Sequence, residues 1–178
     1  MAIALLALLF ISLLAIGLNL LLGEFTGLSI YLFGEASLAI HMMLGIVASL
    51  VALFSVVITM FYFIGTGKAV KETVQEWELD ERYYQMVLKY KKKYFPTMTL
   101  ALVVYIAAPS VGAAASAEYV SDSVHRLVSY VTFLTHGYIC YQGFYYIFEN
   151  DRLVTTVDRL AREAEEEATG SHDGDCGN

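Results

Sequence analysis

Three histidines stand in or beside long apolar stretches: His41 and His136 within runs otherwise free of charge, and His125 at the edge of one, next to Arg126. An imidazole in such a setting either hydrogen-bonds to its surroundings or ligates a metal through a neutral ring nitrogen. His41 precedes Lys68 by 27 residues, and His125 precedes Arg152 by 27 residues. If each cation marks where its helix leaves a membrane, the two rings are level, about 40 Å from that boundary at ~1.5 Å per residue. Two level imidazoles on different helices suit axial ligation of a b-type haem, which needs nitrogens on opposite faces of the iron and an apolar slot for the ring. Gly45 and the small residues around Gly112 offer the slot, with Met42 and Met43 as packing groups or alternative axial ligands. Copper or zinc would need acidic or thiolate companions, which are sparse at that depth. The plainer alternative is a pair of interfacial histidines bonded to backbone or water. His136 lies three turns deeper than His125 on the same face and reads as a hydrogen-bonding residue.

The elements that must carry these residues follow from composition. Of 178 residues, 57% are hydrophobic and only 16% charged, with a mean hydropathy of +0.57. A soluble domain has roughly 25% charged residues. Residues 1–22 and 94–117 carry no charge, 36–64 hold only His41, and 127–148 only His136. About 20 apolar residues cross a bilayer. The expected fold is therefore all-α: a transmembrane up-down-up-down four-helix bundle with cytoplasmic helical extensions. Its spans are about 1–22, 37–66, 96–116 and 124–148, within a membrane unit covering 1–150. A cytoplasmic hairpin fills 67–95, with Asp80 capping its second helix. An amphipathic helix follows at 151–168, then a disordered tail at 169–178. The first segment lacks a basic start and a small-residue cleavage site, so it reads as a retained span.

Charge sets the orientation. The segment 67–95 holds seven of the 11 Lys and Arg, and the chain beyond Asp151 holds three; the remaining one is Arg126. Cytoplasmic loops carry the excess of cations. Both termini are then expected in the cytoplasm and the protein in the plasma (inner) membrane. Lys89 to Lys93 are placed to meet anionic membrane lipids. The opposite face is acidic, with Glu24, Glu35, Glu118 and Asp122. A net charge of −7 argues against nucleic acid as a partner.

Helical stepping finds seams of small and polar residues. From His41 it gives Gly45, Ala48, Ala52, Ser55, Thr59, Tyr62 and Thr66. From His125 it gives Ser129, Thr132, His136, Cys140 and Gly143. The third span offers Ala101, Tyr105, Ala108, Gly112 and Ala115, and the first offers Ser12, Asn19 and Gly23. Polar residues inside a span turn toward the bundle, because lipid cannot satisfy them. Two other features carry little weight. Gly65-Thr66-Gly67-Lys68 lacks the first glycine and the preceding strand of a phosphate loop. His172, Asp175 and Cys176 resemble a metal set but sit in a polar terminus, and Cys140 and Cys176 are not expected to pair.

The stretch from His41 to Glu72 resembles an uncharacterised bacterial family of small four-span membrane proteins. The motif is a span that enters with His and leaves as Tyr62-Phe63-Ile64-Gly65-Thr66-Gly67, followed by Lys68-Ala69-Val70-Lys71-Glu72. Lys93-Tyr94-Phe95-Pro96, Val111-Gly112-Ala113-Ala114 and His125 also fit, so the resemblance covers about 38–150. It implies four spans and carries no activity. The chain departs from it in the fourth span, where the family's asparagine is not evident and His136, Tyr138, Tyr141, Tyr145 and Tyr146 stand instead.

The function expected is that of a small membrane cytochrome-like or redox accessory subunit, with His41 and His125 as haem iron ligands. A quinone or a membrane redox protein would be its partner, in an oligomer or a larger membrane complex. The alternative is a non-catalytic scaffold or assembly protein acting through the 67–95 hairpin. No acidic residue lies in any span, which disfavours a transporter. No nucleophile–base or paired-carboxylate constellation appears, so no independent catalytic activity is expected.

Overall fold

The computed structural model describes residues 1–173, with only the backbone described for 26–29, 35 and 170–173. Five α-helices account for nearly all of it: α1 (Ala2–Glu24), α2 (Thr26–Phe33), α3 (Ser37–Glu76), α4 (Arg82–Ser116) and α5 (Asp122–Asp173). A single 3₁₀ turn, Gly34–Ala36, joins α2 to α3. No strand occurs among the described residues.

Three of these helices, α1, α3 and α4, are long and apolar enough to cross a membrane, and the chain is an integral membrane protein. The stretch 127–148 of α5 is equally free of charge, but its many tyrosines, with His136 and Gln142, keep it below that mark. At ~1.5 Å per residue, the 40 residues of α3 reach about 60 Å, twice the ~30 Å hydrocarbon core. The excess forms a stalk with α4 and the second half of α5.

The four long helices pack in a ring in the order α1, α3, α4, α5, with α3 also touching α5 across the middle. Ring neighbours run antiparallel. Ser12 meets Ser55 while Gly23 meets His41, and Tyr94 meets Ile139 while Gly112 meets His125. The small and polar seams face inward: Ala48, Ala52, Ser55, Thr59 and Tyr62 of α3, Ala101 and Tyr105 of α4, and Thr132 and His136 of α5 are buried. Lipid-length side chains such as Leu50, Phe54, Val103 and Leu134 point outward.

Two hydrophobic cores follow each other along the axis. The larger runs from Leu5 and Phe63 to Ala48 and Tyr105; the smaller, in the stalk, gathers Val70, Val74, Val87, Leu153 and Val157. A polar layer separates them. There the buried Asn150 donates to Thr66 Oγ1 at 2.9 Å. Lys91 lies on the core stripe between Val87 and Tyr94, its ammonium against Gly67, where a Cβ would collide with it.

Four local details differ from the sequence reading. The connection 23–36 contains α2 and the 3₁₀ turn rather than an open loop. Pro96 lies inside α4 instead of opening a helix. The helix at 151–168 is not separate: α5 continues unbroken from Asp122 to Asp173, since no proline or glycine interrupts 144–169. Residues 174–178, with Asp175 and Cys176, lie outside the described residues, as does the side chain of His172. At the hairpin turn the N-cap residue of α4 is Glu81 rather than Asp80, which lies one residue earlier. Asp80 Oδ1 accepts from the Arg82 backbone N–H at 2.8 Å, and this contact holds its carboxyl below the usual range.

Candidate ligand cavity between His41 and His125

His41 lies in the first two turns of α3 and His125 in the first turn of α5. Because α3 and α5 run parallel across the ring, both residues come to the same end of the molecule. Their rings stand edge to face, centres 6.2 Å apart and planes at 84°.

Each ring rests in a notch left by a glycine on another helix. A Cβ on Gly23 of α1 would lie 2.8 Å from His41 Cε1, and one on Gly112 of α4 would lie 3.1 Å from His125 Cε1. Gly45 of α3 likewise faces the Asn19 amide, whose nitrogen would be 3.0 Å from a Cβ there. All four helices thus contribute either a polar side chain or the space for one.

Around these residues lies a cavity of about 450 Å³, within the ~300–1,000 Å³ range of small-molecule sites. It reaches down to Ile16, Ala48 and Thr132, and opens between Glu24, Asp122 and Arg126. Three residues that line it each hold a buried polar atom without a hydrogen-bond partner among the described residues: Nδ1 of His41, Nδ1 of His125 and Oδ1 of Asn19. A buried group left unpaired costs about 1–3 kcal/mol, so three beside one cavity call for partners there, water or a ligand. The Asn19 backbone also bonds to the His41 ring. A ligating histidine commonly has its other nitrogen held in this way.

The spacing can be tested against a metal. A metal–imidazole bond is about 2.0–2.1 Å and each ring centre lies about 1 Å behind its nitrogen, so two rings on opposite faces of one ion have centres about 6 Å apart. The observed 6.2 Å equals that separation in length alone, since the nitrogen-bearing edges of the two rings rest on Gly23 and Gly112. Among the described residues no three His, Cys, Asp or Glu side chains gather as a metal set. A bare zinc or copper ion would therefore lack protein ligands here. Haem iron needs only the two axial ones, since the porphyrin supplies four. Both methionines are exposed, and Met42 alone of the two lines the cavity.

His136 is elsewhere and fully engaged. It is completely buried below the cavity floor. Its Nε2 lies 2.9 Å from the Leu9 carbonyl and 2.8 Å from Ser12 Oγ. A carbonyl only accepts, so Nε2 carries the hydrogen and Nδ1 accepts from the Tyr105 hydroxyl. Ser12 also touches Ser55, at 3.3 Å. No nitrogen of this ring is left for a metal.

Sequence reasoning overlooked Arg126. It sits at the cavity mouth, with Nη1 3.9 Å from Glu24 Oε2. The available signal was its isolation: a single cation far from the other ten, directly after His125. No protein-family model matches this chain, no curated protein matches it, and no solved structure matches it.

Proposed function

We propose that this chain is a small membrane cytochrome-like or redox accessory subunit that holds a b-type haem between His41 and His125. One observation carries the reading: two imidazoles, each with an unpartnered Nδ1, 6.2 Å apart and seated in glycine notches beside a shared cavity. The bound group would supply one-electron redox chemistry. The chain's own residues would do the rest. His41 and His125 ligate, the Asn19 backbone orients His41, and Gly23, Gly45 and Gly112 leave the space.

In this reading α5 is the fourth span of a four-helix membrane bundle, as its uncharged stretch 127–148 supports. Both termini lie in the cytoplasm of a plasma (inner) membrane, supported by ten of 11 cations at the stalk end. The haem then sits near the outer face, within reach of a quinone or a membrane redox protein, and the subunit joins an oligomer or a larger complex. Membership of the uncharacterised four-span family is part of the same proposal.

A second reading is a membrane scaffold acting through the 67–95 hairpin. It is favoured by the stalk's own hydrophobic core around Val74, Val87 and Val157, which makes the hairpin a firm platform. The two readings part on one experiment. Protein purified in detergent from haem-replete cells should show a sharp low-spin spectrum when reduced with dithionite. A colourless, folded preparation would sink the haem reading and leave the scaffold.

A further inference from the structure

The cavity is apolar or neutral over most of its depth, and its charges are confined to the mouth. There Glu24, Asp122 and Arg126 gather. Arg126 is the one Lys or Arg not on the stalk side. It is poorly used as it stands. Its contact with Glu24 is single and 3.9 Å long, beyond hydrogen-bond length, and its side chain is 60% exposed. A guanidinium binds a carboxylate best through two parallel N–H bonds, shorter and stronger than this contact. An exposed pair of this kind adds little to stability, so bracing α1 against α5 is a weak explanation for its position.

We propose that Arg126 recognises a carboxylate on the cavity's ligand, exchanging its loose contact with Glu24 for a paired one. The ligand is thus a planar amphipathic acid, apolar body inward and acid end at the mouth. This rests on the haem reading above, under which the acids are the two propionates of haem b. Glu24 and Asp122 oppose the same carboxylates. The mouth therefore contains both an attracting and two repelling groups, and the two signs can be separated by mutation.

The test is the rate at which the purified full-length protein loses haem to an excess of a haem scavenger in detergent. Arg126→Gln should lose it at least ten-fold faster than the parent. Glu24→Gln should lose it no faster, and more slowly if its repulsion is felt. Reconstitution with haem b dimethyl ester should make the parent lose its ligand faster than it loses haem b, and should bring no acceleration in Arg126→Gln. This last comparison stays valid even if Arg126→Gln packs less well. Equal acceleration by Arg126→Gln and Glu24→Gln would show an ion pair bracing two helices and overturn the proposal. So would an unchanged rate in Arg126→Gln, with the haem reading intact. A parent protein without haem would overturn both.

Discussion

The Tyr105 hydroxyl is hydrogen-bonded to Nδ1 of His136, and the opposite ring nitrogen bonds to the Leu9 carbonyl. Both nitrogens are thus consumed by the protein, on a ring with no exposure at all. The contrast with His41 and His125 is direct, since each of those lines a cavity and has an unpartnered Nδ1.

Tyr105→Phe should therefore cost stability without touching the cavity. It leaves a buried acceptor unpaired, and polar contacts between membrane helices are worth about 0.6 kcal/mol on average and up to ~1.7 kcal/mol. Thermal unfolding in detergent should fall in midpoint, while haem content stays at the parent level. Loss of haem in this variant would tie His136 to the ligand site instead.

The glycine notches predict a graded response. Gly112→Leu should push the His125 ring out of place and cost roughly 1–3 kcal/mol or more by overpacking. Leu102→Ile, on a half-buried position of the same helix, should be nearly neutral. Equal unfolding midpoints for the two would mean that Gly112 does not face His125.

Lys91 predicts a pH dependence. Burial pushes its ammonium below its ordinary value, and no acid pairs with it among the described residues. The folded state then holds its proton less tightly than the unfolded state, so unfolding takes up protons between the lowered value and the ordinary one. Stability should rise with pH through that window and be lowest, for this group, beneath it. Lys91→Met should abolish this part of the rise, read as the difference between parent and variant midpoints across alkaline pH. Parallel curves would show the ammonium to be solvated.

Orientation is predicted by charge alone. A reporter inserted near Asp80 or fused after Asn178 should be cytoplasmic, and one near Glu118 external. An external C-terminus would remove the four-span account.

Much of this was legible in the sequence because membrane helices advertise themselves. Long uncharged runs gave the helices, stepping by 3.5 gave the buried seams, and equal distances to Lys68 and Arg152 placed His41 and His125 together. What was not legible had local physical causes. The eight residues of α2 are too few for a helical period to emerge. The continuity of α5 through Asn150 was hidden by the change from apolar to charged residues, which alters the surroundings without breaking the helix. Lys91 looked like one member of a basic run meeting anionic lipids, yet it falls in register with Val87 and Tyr94 on the buried face. Gly23 and Gly112 could be read as small, but not as the seats of two particular rings.

The central claim is that His41 and His125 ligate one haem, and the reduced optical spectrum of three variants tests it most directly. His41→Ala and His125→Ala should each abolish the low-spin spectrum or convert it to high-spin, since losing an axial ligand opens a coordination position. His136→Ala should keep the low-spin form, because that ring lies about 16 Å further along α5 from His125 and is bonded within the protein. A low-spin spectrum that survives in both His41→Ala and His125→Ala would contradict the account.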